Sequence, residues 1–235
     1  MRNAVIVLIL AALDGGTFLP LSELMAGFIP PNLPPGSPYQ LVFVTAGTRD
    51  ATSADIADYN DFVTAEAALN PLLPDATWRA VASTFTVSAH DNAPSGGLPV
   101  YNIAGELVAA SNTGLYTAVL LTPIWYNQFG SPPGPKINFN YRVWTGMGPA
   151  PGTASLSFPM GPGGSVQGSA IYGNASNAAG SWDDADFAPQ TLLLPLYALS
   201  DPITVVSIPE PSSFLLAALG LISLATWRWR KNRER

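Results

Sequence analysis

The 235-residue sequence predicts an α+β domain with one early helix, short antiparallel strands and long loops. Three observations carry that expectation. Helical spacing of apolar residues occurs over one stretch, near residues 52–70. The other apolar runs are short and rich in β-branched and aromatic residues. Between them, 23 prolines and 21 glycines supply turns throughout the chain. An all-β sandwich is the alternative that the same short strands allow.

Residues 27–38 hold Pro30, Pro31, Pro34, Pro35 and Pro38 and read as an extended linker. The domain is expected over residues 39–206. It opens with Tyr39 to Thr45, an apolar, β-branched run that reads as a buried strand. The helix follows a turn at Gly47 to Asp50. Thr52 or Ser53 is placed to cap it, with Asp55 and Asp58 near the positive end of its dipole. Ile56, Tyr59, Val63 and Ala67 share one face, and Asn70-Pro71 ends it. Short strands are expected at Trp78 to Ser83, at Pro99 to Ile103 and at Glu106 to Ala109 around a turn at Ala104-Gly105. Tyr141 to Gly146 is a further strand that stops at glycine. Pro149 to Gly180 carries no charged residue and reads as a long loop region, or as strands too short to show. Leu192 to Leu199 and Ile203 to Val206 close the domain.

Composition excludes several chemistries. There is no cysteine, hence no disulfide, thiolate metal site or cysteine nucleophile. His90 is the one histidine, which excludes a multi-histidine metal centre, and no Gly-x-Ser-x-Gly elbow surrounds any serine. The formal net charge of −6 argues against nucleic acid as a partner. Asp183, Asp184 and Asp186 form the densest group of oxygen ligands and are the candidates for calcium, although the spacing is not that of an EF-hand loop. A solvated acidic turn is the simpler role, and otherwise no cofactor is expected. A hydrolase would need two carboxylates about 5 Å or about 7–9 Å apart; Glu66 and Glu106, or the Asp183 group, are the residues available for it. Trp125, Tyr126 and Phe129 could stack on sugars, with core packing the simpler role.

The ends read as addresses. Met1-Arg2-Asn3 precedes ten apolar residues, Ala4 to Leu13, the charged and apolar regions of a secretory signal assigned to residues 1–26. At the other end Pro209-Glu210-Pro211 is followed by an apolar stretch from Phe214 to Thr226, and a membrane helix is expected over about residues 212–229. Arg228, Arg230, Lys231, Arg233 and Arg235 form a basic tail that would stay on the cytoplasmic side. Both ends would then lie inside, with residues 27–208 outside. That segment has four basic and twelve acidic residues, a net charge of −8.

Residues 207–235 resemble the PEP-CTERM sorting signal of exopolysaccharide-producing Gram-negative bacteria. The resemblance implies handling by the secretion machinery, membrane insertion by the C-terminal helix, recognition by an exosortase, removal of the tail, and delivery to the cell surface or extracellular matrix. The central domain is similar in its order of landmarks to C-type-lectin-like and endostatin-like bacterial surface modules. Those landmarks are a strand, a helix, the Pro99 to Ala109 segment, Val143-Trp144-Thr145-Gly146, a glycine-rich loop, Trp182 and a closing Leu196-Tyr197 strand. The resemblance implies a non-enzymatic module in which Trp182-Asp183-Asp184 could belong to a calcium site. The cysteines that staple such domains are missing here. Phe43, Tyr59, Trp78, Trp144, Trp182 and Tyr197 would therefore have to hold the loops through the core alone. The functional expectation is an exported binding or structural protein, not an enzyme, with extracellular polysaccharide the leading ligand. An extracellular polysaccharide hydrolase is the alternative.

Overall fold

The computed structural model describes residue 30 and residues 33–132 and 141–205. Strands dominate, as two sheets with few helical residues. In chain order the elements are β1 (Pro38–Val44), α1 (Ile56–Ala68), β2 (Trp78–Ala80), α2 (Ala89–Asn92), β3 (Val100–Asn102), β4 (Leu107–Ala109), β5 (Arg142–Trp144), β6 (Ser169–Asn174), β7 (Asp186–Pro189), β8 (Tyr197–Ser200) and β9 (Ile203–Thr204).

The first sheet has the order β2-β8-β1-β3-β4, with β9 paired to the start of β1. β1 is central, and its two faces feed two apolar clusters. Tyr39, Leu41 and Phe43 pack with Tyr59, Val63 and Ala67 of α1, and with Trp78 and Trp144. Val42 and Val44 face Val143, Leu115, Ile124, Trp182 and Tyr197. That two-sided burial explains the unbroken apolar run. Where antiparallel strands were expected throughout, β1 and β3 run parallel, with Gln40 opposite Val100. The physical reason is the connection: α1, β2 and α2 lie between them, and a crossover of that length returns the chain to the same end of the sheet.

The domain closes where its ends meet. Pro38 pairs with Thr204 and Tyr39 with Ile203. The Gly36 N–H donates to the Val205 carbonyl (2.9 Å), and the Val205 N–H to the Ser37 carbonyl (3.0 Å). Leu33 packs against the first cluster, so the end of the proline-rich stretch is built into the domain.

Asp55 caps α1, not Thr52 or Ser53: its carboxylate accepts the Ala57 N–H at 2.9 Å. Ser53 is engaged one turn earlier. Its hydroxyl donates to Asp58 and its carbonyl accepts the Tyr59 hydroxyl at 2.9 Å. A reciprocal amide pair then ties the helix to α2 and β2. Asn60 Nδ2 donates to Asn92 Oδ1 (2.8 Å), Asn92 Nδ2 donates to Asn60 Oδ1 (2.9 Å), and the pair also meets the Ala80 N–H and carbonyl.

The second sheet is antiparallel, β5-β6-β7. It joins the first through Trp144, whose N–H donates to the Pro195 carbonyl at 3.0 Å. β6 falls inside the uncharged stretch read as loop. Gly146, just beyond β5, adopts the left-handed conformation (φ 59°), and a Cβ there would overlap the Ser83 carbonyl.

Candidate functional site

The acidic turn links β6 to β7 and passes over the second cluster. Trp182 is fully buried. Its indole N–H donates to the Thr117 carbonyl (2.9 Å), and its own carbonyl accepts the Tyr197 hydroxyl (2.9 Å). The turn lies so close to β6 that a Cβ on Gly173 would overlap the Trp182 carbonyl. Asp183 follows Trp182 inward and is 3% exposed. Its carbonyl accepts the Thr145 hydroxyl at 2.5 Å, while its carboxylate Oδ2 has no hydrogen-bond partner among the described residues. Burial raises this carboxyl to about 7; the backbone N–H groups of Asp183 and Asp184 lower it, and the Asp184 charge raises it further.

The other two acids have different surroundings. Asp184 is half-buried, and burial followed by the Asp186 charge raises its carboxyl. Asp186 is exposed at the start of β7, where it accepts the Phe187 N–H (2.9 Å) and the Tyr172 hydroxyl (3.4 Å). Among the described residues no group of three or more histidine, aspartate or glutamate side chains could hold a metal ion.

Glu66 and Glu106 serve separate parts of the frame. Glu66 Oε2 accepts the Gly47 N–H (2.7 Å) and the Gln128 side-chain amide (2.8 Å), and Gln128 in turn accepts the Ala46 N–H (2.8 Å). Glu106 accepts the Asn102 amide (2.7 Å) in the turn between β3 and β4. His90 is exposed on α2, its ring 5.3 Å from that of Tyr116. Tyr116 donates to the Ala89 and Ala93 carbonyls, and burial raises its phenol well above the ordinary range.

Among the described residues, exposed aromatic rings include Phe85, Phe129 and Phe187. Trp125 packs edge-on against Tyr141 at 4.5 Å, and Phe129 nearby is half exposed. Phe158 and Phe187 stack nearly parallel, 10° apart in plane with centroids at 4.4 Å, and Phe187 is 51% exposed. The sequence gives no sign of this second pair, because Phe158 sits in a Gly/Pro-rich loop and Phe187 follows the acidic turn. A cleft of about 280 Å³ opens between the end of α1 and β2, lined by Ala67, Asn70, Leu73, Asp75 and Trp78.

The sorting residues Pro209, Glu210 and Pro211, the basic tail from Arg228 to Arg235, the expected membrane helix over 212–229 and the signal over 1–26 lie outside the described residues. Among the described residues no helix is long and apolar enough to cross a membrane. No curated protein matches the chain. Residues 207–231 match the family model described as the PEP-CTERM protein-sorting motif. The chain thus carries, directly after the folded domain, a motif that indicates an exported surface protein sorted by an exosortase.

Proposed function

We propose that this is a cell-surface or matrix protein whose central domain is a non-enzymatic binding or structural module on a C-type-lectin-like frame, with a neutral extracellular polysaccharide as ligand. The sorting motif at residues 207–231 is the observation that carries the reading. The frame is supported by the order of parts: paired first and last strands, an early helix, and a second sheet that holds Val143, Trp144 and the turn at Trp182. The non-enzymatic reading is supported by Glu66 on α1 and Glu106 in the turn between β3 and β4, whose carboxylates are each occupied by hydrogen bonds to separate parts of the frame. The polysaccharide reading is supported by the half-exposed Phe187, stacked on Phe158 beside an uncharged loop, a surface suited to the apolar face of a sugar ring. In this reading the C-terminal helix holds the chain in the inner membrane until the exosortase acts.

Two experiments test the proposal. Glu210→Ala in the native host should leave unprocessed protein in the membrane fraction; unchanged release would sink the sorting step. The exported segment should sediment with the host's own exopolysaccharide, assayed with calcium and with chelator. Failure to sediment in both conditions would remove the polysaccharide and leave a structural matrix role.

A further inference from the structure

We propose that the cleft between the end of α1 and β2 binds a single neutral sugar ring, whose hydroxyl groups meet the Trp78 indole N–H and the Asp75 carboxylate. This site is separate from the Phe158–Phe187 surface: it lies at the β2 edge of the first sheet, whereas Phe187 is on β7 of the second. The inference starts from a donor without an acceptor. Trp78 is 3% exposed. Among the described residues the Trp144 and Trp182 indoles donate to carbonyls, and the Trp78 indole donates to none. The unpartnered side-chain atoms sealed from solvent are Arg142 Nε and Asp183 Oδ2, so Trp78 Nε1 is not sealed. The open space that Trp78 borders is the cleft. A donor at that depth finds its acceptor in what enters there.

The remaining polar side chains of the lining divide in two. Thr64 and Asn70 are already engaged: the Thr64 hydroxyl donates to the Trp78 carbonyl (3.2 Å), and the Asn70 amide donates to the Gln128 carbonyl (2.7 Å) while its oxygen accepts the Leu72 N–H (3.0 Å). Asp75 is exposed, and among the described residues its carboxylate has neither a hydrogen-bond nor an ion-pair partner. The groups left free in the cleft are thus one donor and one acceptor. Ala67, Ala68, Leu73 and Pro74 supply an apolar wall.

These features select the ligand. Among the described residues no lysine or arginine lines the cleft, and α1 has no basic residue in its last turn. The carbonyl end of the helix carries partial negative charge, so an anion is disfavoured. A protonated amine would meet Asp75 but leave the indole without an acceptor. A hydroxyl group both donates and accepts, and a sugar ring carries several of them around an apolar C–H face that suits the wall. The cleft volume of about 280 Å³ lies just below the range of about 300–1,000 Å³ usual for small-molecule pockets, which gives room for one ring and not for a length of chain. Phe43 packs edge-on against Trp78, with centroids 4.9 Å apart, and fixes the indole before any ligand arrives.

Magnetic resonance of the indole N–H groups tests the site, on the full-length chain in a nonionic detergent that has no sugar head group. Glucose, galactose, mannose and N-acetylglucosamine are titrated in turn, with ethanolamine as the amine probe. With at least one sugar the Trp78 resonance, identified by its absence in Trp78→Phe, should move and saturate in the millimolar range. Those of Trp144 and Trp182, already donated to carbonyls, should stay in place. Asp75→Ala should weaken the binding about tenfold. Ala68→Phe, an exposed position on α1, should fill the cleft and abolish the shift. If no indole resonance moves saturably with any of the sugars, the proposal is overturned, whether or not Trp78→Phe folds. A shift that survives Ala68→Phe, or one given by ethanolamine and by no sugar, overturns it too. The titration uses free monosaccharides and no exopolysaccharide, so its failure and that of the polysaccharide reading are told apart.

Discussion

The Asn60–Asn92 pair gives the sharpest test of how this fold is held together. Asn92→Ala removes three hydrogen bonds: the two reciprocal bonds with Asn60 and the bond to the Ala80 carbonyl. It leaves the Ala80 carbonyl and a half-buried Asn60 amide short of partners. A buried group so orphaned costs about 1–3 kcal/mol, so the single variant should lose about 2–3 kcal/mol. Asn60→Ala removes the same two reciprocal bonds and the acceptor of the Ala80 N–H, for a similar loss. The reciprocal bonds can be lost only once. The double variant should therefore fall short of the sum by about 1–2 kcal/mol, well outside the ~0.5 kcal/mol expected of independent sites. Urea unfolding of the exported segment, followed by far-ultraviolet circular dichroism, reads this directly. With a slope of about 2 kcal/mol per molar urea, each single variant should lower the midpoint by about 1 M. Additivity within about 0.5 kcal/mol would refute the coupling and mean that each amide serves its own element.

Other outcomes follow from single contacts. Gly146→Ala should cost at least about 2 kcal/mol, because the left-handed backbone disfavours a Cβ and the Ser83 carbonyl occupies its place; a thermal midpoint equal to that of the unmodified chain would contradict it. Glu66→Gln should stay within about 1 kcal/mol of the original stability, since one amide oxygen can still accept from Gly47 and Gln128, whereas Glu66→Ala should lose about 2–3 kcal/mol; equal losses in urea would mean that the charge, not the acceptor, matters. Phe187→Ala, half exposed, should lower stability by about 1 kcal/mol or less and weaken sedimentation with exopolysaccharide about tenfold if the stacked pair is the contact surface; undiminished sedimentation would move the contact elsewhere.

What was legible in the sequence was whatever depends on local pattern. β1 announces itself because both faces are apolar, and α1 because Tyr59, Val63 and Ala67 recur at helical spacing. The sorting motif is a contiguous signal, readable without a fold. β6 was hidden because its Ser169, Gly173 and Asn174 are poor strand formers. It forms because β5 and β7 flank it and because Gly173 lets the acidic turn approach. Sequence treats Asp183 and Asp186 alike. They differ because the turn follows Trp182 inward before β7 carries Asp186 to the surface, a consequence of tertiary packing alone. The parallel pairing of β1 and β3 was equally beyond local pattern, since strand direction is set by the path between them.

The missing cysteines pose the question of what restrains such long loops, and the aromatic core is only half of the answer. The other half is a set of buried carboxamides. Gln190 Nε2 gathers the Pro159 and Gly161 carbonyls, fixing the loop between β5 and β6 to the end of β7. Gln40 joins the Ser200 carbonyl (2.8 Å) to the Pro94 carbonyl (3.2 Å). Asn70 holds the Gln128 carbonyl (2.7 Å), and the Gln128 side chain spans Ala46 and Glu66. A carboxamide offers donors and an acceptor from one neutral group, so it can satisfy loop backbone inside the protein without burying a charge. Its effect differs in kind from a disulfide's. A disulfide acts largely by restricting the unfolded chain, whereas these amides act only while the loops are in place. Loops held this way depend on no thiol, so their order is indifferent to redox state.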